Sequence, residues 1–155
     1  MKKLLYLFTL SMISLAGMGQ VPDFSGTWKL NNEKSILFEQ FSLAPGQLIL
    51  IQTADSLMVE KHGNFQGQDY VTKDKFSLDG KECINIGWMD SKKTSTAVWS
   101  EDGKILTISS KVPTQDQGEA TMKEVFQMVE NNLKLELNAA SSMGEMSETY
   151  LLDKQ

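Results

Sequence analysis

The stretch Asp23-Phe24-Ser25-Gly26-Thr27-Trp28-Lys29-Leu30-Asn31-Asn32-Glu33-Lys34-Ser35 decides the fold. Gly26 and Trp28, spaced by one residue and followed by an extended Lys29-Leu30-Asn31, read as the opening of a first β-strand. What stands before it is of a different kind. Met1-Lys2-Lys3 precedes an apolar run from Leu4 to Ala16, and Gly17 and Gly19 flank Met18. A positive start, a short apolar core and small residues two apart describe a secretory signal peptide. The run falls short of the about 20 residues that a spanning helix needs. Cleavage after Gly19 would make Gln20 the new N-terminus and leave residues 20–155 as one domain. Leu15-Ala16-Gly17 has the look of a lipoprotein signal, but Met18 stands where the lipidated cysteine belongs, so no membrane anchor is expected. The expected location is the periplasm or the exterior.

All 15 basic residues are lysine, against 20 Asp and Glu. An acidic domain repels phosphate backbones, which excludes nucleic acid and anionic membranes as partners. The absence of arginine removes the planar fork that usually grips a carboxylate or phosphate. Cys83 is the single cysteine, so no internal disulfide forms and stability must come from an apolar core. Cys83 reads as a small buried residue, with an intermolecular bridge as the alternative.

After the leader, short β-prone runs alternate with turns. The runs are Gly26–Asn31, Gln47–Thr53, Ser56–His62, Asp69–Leu78, Glu82–Trp88, Thr94–Ser100, Lys104–Lys111, Thr121–Glu130, Leu133–Asn138 and Glu145–Asp153. Ala54-Asp55, Asp79-Gly80, Asp102-Gly103 and Asn131-Asn132 are turns of the kind that join antiparallel neighbours. Such a meander loses its exposed edges by closing into a barrel. The segment from Asn32 to Pro45 is too long for a hairpin; it reads as a short helix or a packed loop across the barrel mouth. The run Leu48-Ile49-Leu50-Ile51 is apolar on both faces and predicts a strand covered outside as well as inside.

Phe24-x-Gly26-x-Trp28-Lys29-Leu30 resembles the opening of the calycin superfamily, which holds lipocalins and intracellular fatty-acid-binding proteins. More closely, the chain resembles a group of exported bacterial lipocalin-like proteins that share FSGTWKLN-x-x-KS, Asp79–Glu82 (DGKE) and Ser142–Met146 (SMGEM). The resemblance implies an all-β, antiparallel up-and-down barrel of eight to ten strands. It implies that Gly26 and Trp28 form the structural plug of its closed end. Lipocalins set a late arginine against that tryptophan, and Lys134 or Lys154 would have to substitute here. Fatty-acid-binding proteins end on an Arg-x-Tyr that holds the ligand carboxylate. Tyr150 and Leu152 stand at those two positions, which speaks against a carboxylate ligand.

Alternation suggests what lines the interior. Tyr70, Thr72, Asp74, Phe76 and Leu78 share a face, as do Met122, Glu124, Phe126 and Met128, and Glu148 lies between Met146 and Tyr150. Asp74, Glu124 and Glu148 would then point inward; a register one residue off would set one or more of them on the outer face or a rim. Trp88 and Trp99 fall on neighbouring strands, where they either stack on a ligand or pack in the core. The expected ligand site is therefore Tyr70, Thr72, Asp74, Phe76, Trp88, Trp99, Glu124, Phe126, Met128, Glu148 and Tyr150. Its expected occupant is a small apolar molecule, neutral or cationic, bound by a monomer. The only histidine, His62, reads as exposed at a strand end, and no nucleophile elbow, phosphate loop or metal-ligand spacing is present. No enzymatic activity, cofactor or metal is expected. The alternatives are a barrel with a packed interior that serves as an interaction module, and a hydrolase working through Asp74 or Glu124.

Overall fold

The computed structural model describes residues 20–65, 67–87, 90–114 and 118–155. The expected leader, Trp88, Met89 and residues 115–117 lie outside these. Ten strands follow in order: β1 (Gly26–Leu30), β2 (Gln47–Gln52), β3 (Ser56–Phe65), β4 (Gln68–Ser77), β5 (Cys83–Ile86), β6 (Lys92–Trp99), β7 (Ile105–Pro113), β8 (Glu119–Val129), β9 (Asn132–Ser141) and β10 (Gly144–Lys154). All pair antiparallel in one sheet of order β4-β3-β2-β1-β10-β9-β8-β7-β6-β5. Each strand thus lies beside its neighbour in sequence except at one junction. There β1 meets β10, with Trp28 opposite Lys154 and Leu30 opposite Leu152. This junction curls the meander into a nearly closed barrel and leaves one seam, between β4 and β5.

The alternation along the strands explains the core. Leu133, Leu135 and Leu137 on β9 are buried while Lys134 and Glu136 face out as an ion pair of 2.5 Å. Leu106 and Ile108 on β7, Phe126 on β8, and Tyr150 and Leu152 on β10 fill the same interior. The hairpin between β8 and β9 turns at Glu130-Asn131, because Val129 pairs with Asn132; this is one residue earlier than Asn131-Asn132. Glu130 takes the left-handed conformation that the tight turn requires, with φ 54°. On β2, Leu48 and Leu50 are buried but Ile51 is exposed, so the outside of that strand is not covered along its length.

Asn32 to Pro45 forms no helix. It runs as a packed loop along the mouth side of β10, where Ile36 and Thr149 exchange two backbone hydrogen bonds of 2.8 Å. The loop takes over the pairing that β1, only five residues long, leaves unmade on the upper half of β10.

Candidate functional site

Trp28 lies at the lower end of the barrel. It is fully buried, and its indole N–H donates to the Phe24 carbonyl at 2.9 Å. Phe24, also fully buried, stacks on Trp99 with ring centroids 5.6 Å apart and tilts against Phe126 at 6.0 Å. Trp99 is therefore a partner of the plug. Lys154 Nζ lies 5.3 Å from the Trp28 ring, so of the two lysines that could replace an arginine the fold selects Lys154. The glycine of the Gly-x-Trp pair has a physical reason as well. Gly26 sits at φ +141°, where side chains are strained, and a Cβ there would come within 2.9 Å of Lys154 Cε.

Above this apolar floor the interior changes character. On strand after strand, the inward position next farther from the floor carries a charge: Lys61 beyond Val59, Asp74 beyond Phe76, Glu124 beyond Phe126 and Glu148 beyond Tyr150. Asp74, Glu124 and Glu148 are only 3, 3 and 2 % exposed, so none of them stands on an outer face or a rim. Buried carboxylates must be paired or hydrogen-bonded, and these are. Lys61 on β3 reaches across the barrel to Glu124 on β8. Lys93 on β6 reaches over the seam to Asp74 Oδ2 on β4 at 2.6 Å. Glu148 accepts the Tyr150 hydroxyl at 2.5 Å and the backbone N–H groups of Phe38 and Leu43 at 2.9 and 3.0 Å. It therefore moors the mouth loop from inside the barrel. Ser95 and Ser110 complete the belt with a hydroxyl contact of 2.8 Å.

These contacts set the electrostatics. Burial by itself would push the Lys61 ammonium down, but the adjoining Glu124, with Asp74 adding, holds it above the usual lysine range. Burial, then donation to Glu148, pushes the Tyr150 phenol far above the usual tyrosine range. Tyr70 is raised by burial as well, with Lys61 pulling the other way. Tyr70 reaches its place because its partner across the pair is Gly63, where a Cβ would meet the phenol ring at 2.4 Å. The seam is held by side chains: Asn85 accepts from the Lys75 N–H at 2.8 Å and donates to its carbonyl at 3.0 Å. Beside these bonds an open cleft of about 540 Å³ leads in to Phe76 and Cys83.

Of the residues expected to line the site, Asp74, Phe76, Glu124, Phe126, Glu148 and Tyr150 are buried in the interior, and Tyr70, Met128 and Trp99 are half-buried. Thr72 is exposed despite its inward register, because β4 borders the seam and has no full partner on that side. Trp88 lies outside the described residues. Lys61, Lys93, Ser95 and Ser110 went unnoticed in the sequence, although Leu57-Val59-Lys61 and Lys93-Ser95-Ala97 carry the inward alternation. His62 is not at a strand end: it stands within β3, half-buried, and its ring contacts Glu60 at 2.7 Å on the outer face. Cys83 is half-buried and free, its thiol 3.4 Å from the Ser95 carbonyl. Among the described residues no three His, Cys, Asp or Glu gather closely enough to hold a metal ion.

No protein-family model and no curated protein sequence matches the chain. Solved structures do. The zebrafish ileal bile acid-binding protein complexed with cholic acid superposes with a TM-score of 0.59 at 16 % identity, covering 85 % of this chain and 98 % of that one. Apo lipid binding protein 8 of Caenorhabditis elegans matches at 0.59 and 12 %, over 85 % and 95 % of the two chains. The Schistosoma mansoni fatty acid binding protein in complex with arachidonic acid matches at 0.57 and 15 %, over 88 % and 99 %. The chain therefore has the fold of these barrels, the antiparallel up-and-down architecture expected from its strands and turns.

Proposed function

We propose that this is an exported binding protein, without catalytic activity, that holds a small apolar molecule in its barrel. The observation that carries this reading is the layered interior: a buried apolar floor under a buried belt of polar groups, within a fold that in similar structures holds cholic acid or arachidonic acid. Apolar walls with a few placed polar groups are the usual composition of a small-molecule site. The belt differs from one built for an acid, since Lys61 and Lys93 are both already engaged by carboxylates. A neutral or cationic ligand is the better match. Hydrolysis is disfavoured by the same pairs, because Glu124 and Asp74 are each tied to a lysine and His62 sits outside with Glu60. Native mass spectrometry of protein purified from its own host tests the reading: a carried-through small molecule supports it. Protein that arrives empty and shows neither tryptophan quenching nor a gain in melting temperature with apolar probes overturns it.

A second reading rests on a separate observation. The edge strand β5 exposes Ile84 and Ile86 at 61 and 72 % on the outer face. An edge with apolar side chains suits the addition of a strand from a protein partner. On this reading the barrel is an interaction module. A pull-down from host extract should then retain a partner that is lost on Ile84→Lys and Ile86→Lys.

A further inference from the structure

We infer that Asp74 Oδ1 is the acceptor for the head of the ligand, and that this head is an amine. The inference rests on the apolar-ligand reading above and names the chemistry of its polar end. In the belt, two ammonium groups, Lys61 and Lys93, face three buried carboxylates, Asp74, Glu124 and Glu148. Glu148 is served by three donors and Glu124 by Lys61. Asp74 is served on one side only. Its Oδ2 takes Lys93, while its Oδ1 is buried and has no hydrogen-bond partner among the described residues. A buried carboxylate oxygen left without a donor is costly, and native interiors rarely keep one without a reason.

A donor brought by a ligand would remove that cost. An ammonium suits the place better than other heads, because it supplies both the donor and the positive charge that the belt lacks. A carboxylate head would bring two acceptor oxygens to a site that already has an acceptor in excess. The apolar part has a place to lie: Tyr70, Met122 and Met146 occupy inward positions farther from the floor than the belt residues of their own strands. Tyr70 and Met122 keep some exposure, and Met146 is buried. The Tyr70 ring, lying against Gly63, adds an aromatic face to this upper wall.

Three probes with one tail and different heads test the inference: decylamine, decanol and decanoate, titrated calorimetrically at neutral pH and below micelle formation. Decylamine should bind about tenfold or more tighter than decanoate and measurably tighter than decanol. Asp74→Asn should abolish the margin of amine over alcohol. Lys93→Met, which leaves the whole carboxylate to the ligand, should widen it. The inference is overturned if decanoate binds as tightly as decylamine. It is equally overturned if Asp74→Asn leaves the amine margin unchanged, since general attraction to an acidic surface would survive that change. In either case binding of the decyl tail still stands and the apolar-ligand reading with it. If none of the three probes binds, that reading falls and takes the inference along.

Discussion

Replacing Lys61 with methionine removes one end of the ion pair that spans the barrel from β3 to β8. The side chains of Lys61 and Glu124 are 16 and 4 % exposed, so the pair belongs with buried salt bridges. Exposed pairs contribute about 0–1 kcal/mol. Removing one partner of a buried pair leaves the other uncompensated and costs about 3–5 kcal/mol. Methionine fills nearly the volume of the lysine stem, so little of that cost comes from a cavity. For a domain of this length a loss of 1 kcal/mol lowers Tm by about 3–4 °C, so Lys61→Met should melt about 9–20 °C lower. The double variant Lys61→Met/Glu124→Leu should recover to within about 1 kcal/mol of the parent, since an apolar pair of similar volume carries no desolvation penalty. Urea unfolding followed by tryptophan fluorescence, with the m-value checked for constancy, measures all four corners of the cycle. A single-variant cost below about 1 kcal/mol, or a double variant as unstable as the sum of the singles, would refute the reasoning: Lys61 would then not be neutralising Glu124 inside the barrel.

At the floor, Trp28→Ala should cost about 3–5 kcal/mol by calorimetry, whereas Lys154→Ala, which removes only the cation above the ring, should cost about 0.5–1 kcal/mol. The pH dependence follows from Tyr150. Its folded-state pKa is raised, so its contribution is fully present below the unfolded value of about 10 and declines as pH climbs above it. Tyr70 and Lys61, both raised, act in the same direction. Stability measured from pH 8 to pH 11 should therefore fall at the alkaline end, and less steeply in Tyr150→Phe. In Glu148→Gln a single amide oxygen cannot serve Phe38 and Leu43 as the carboxylate does. Hydrogen exchange should speed by about tenfold for at least one of these two amides and stay unchanged along β7.

Much of the architecture is legible in the chain itself. Side-chain alternation is local, and the period of two along Leu133-Lys134-Leu135-Glu136-Leu137 gives strand and face together. Turn residues between such runs yield the meander, and Gly26-x-Trp28 marks the closed end. The candidate site was half legible for the same reason. Asp74, Glu124 and Glu148 sit in the rhythm of apolar neighbours, so their inward face can be read. Lys61 and Lys93 share that rhythm, yet a lysine on a strand is ordinarily solvated, and nothing local says otherwise. For the mouth loop the sequence left a helix and a packed loop open, and the backbone pairing of Ile36 with Thr149 on β10 decides for the loop.

What the sequence by itself determined is thus the set of strands and their faces, with Trp28 on the buried face of the first. What only the tertiary structure decided is which buried charges meet. Lys61 and Glu124 are 63 residues apart and lie on opposite walls. Lys93 reaches Asp74 over a seam that exists only because β4 and β5 are the two ends of the sheet. Electrostatic partnership depends on distance through space, and in a barrel that distance is fixed by how the sheet closes.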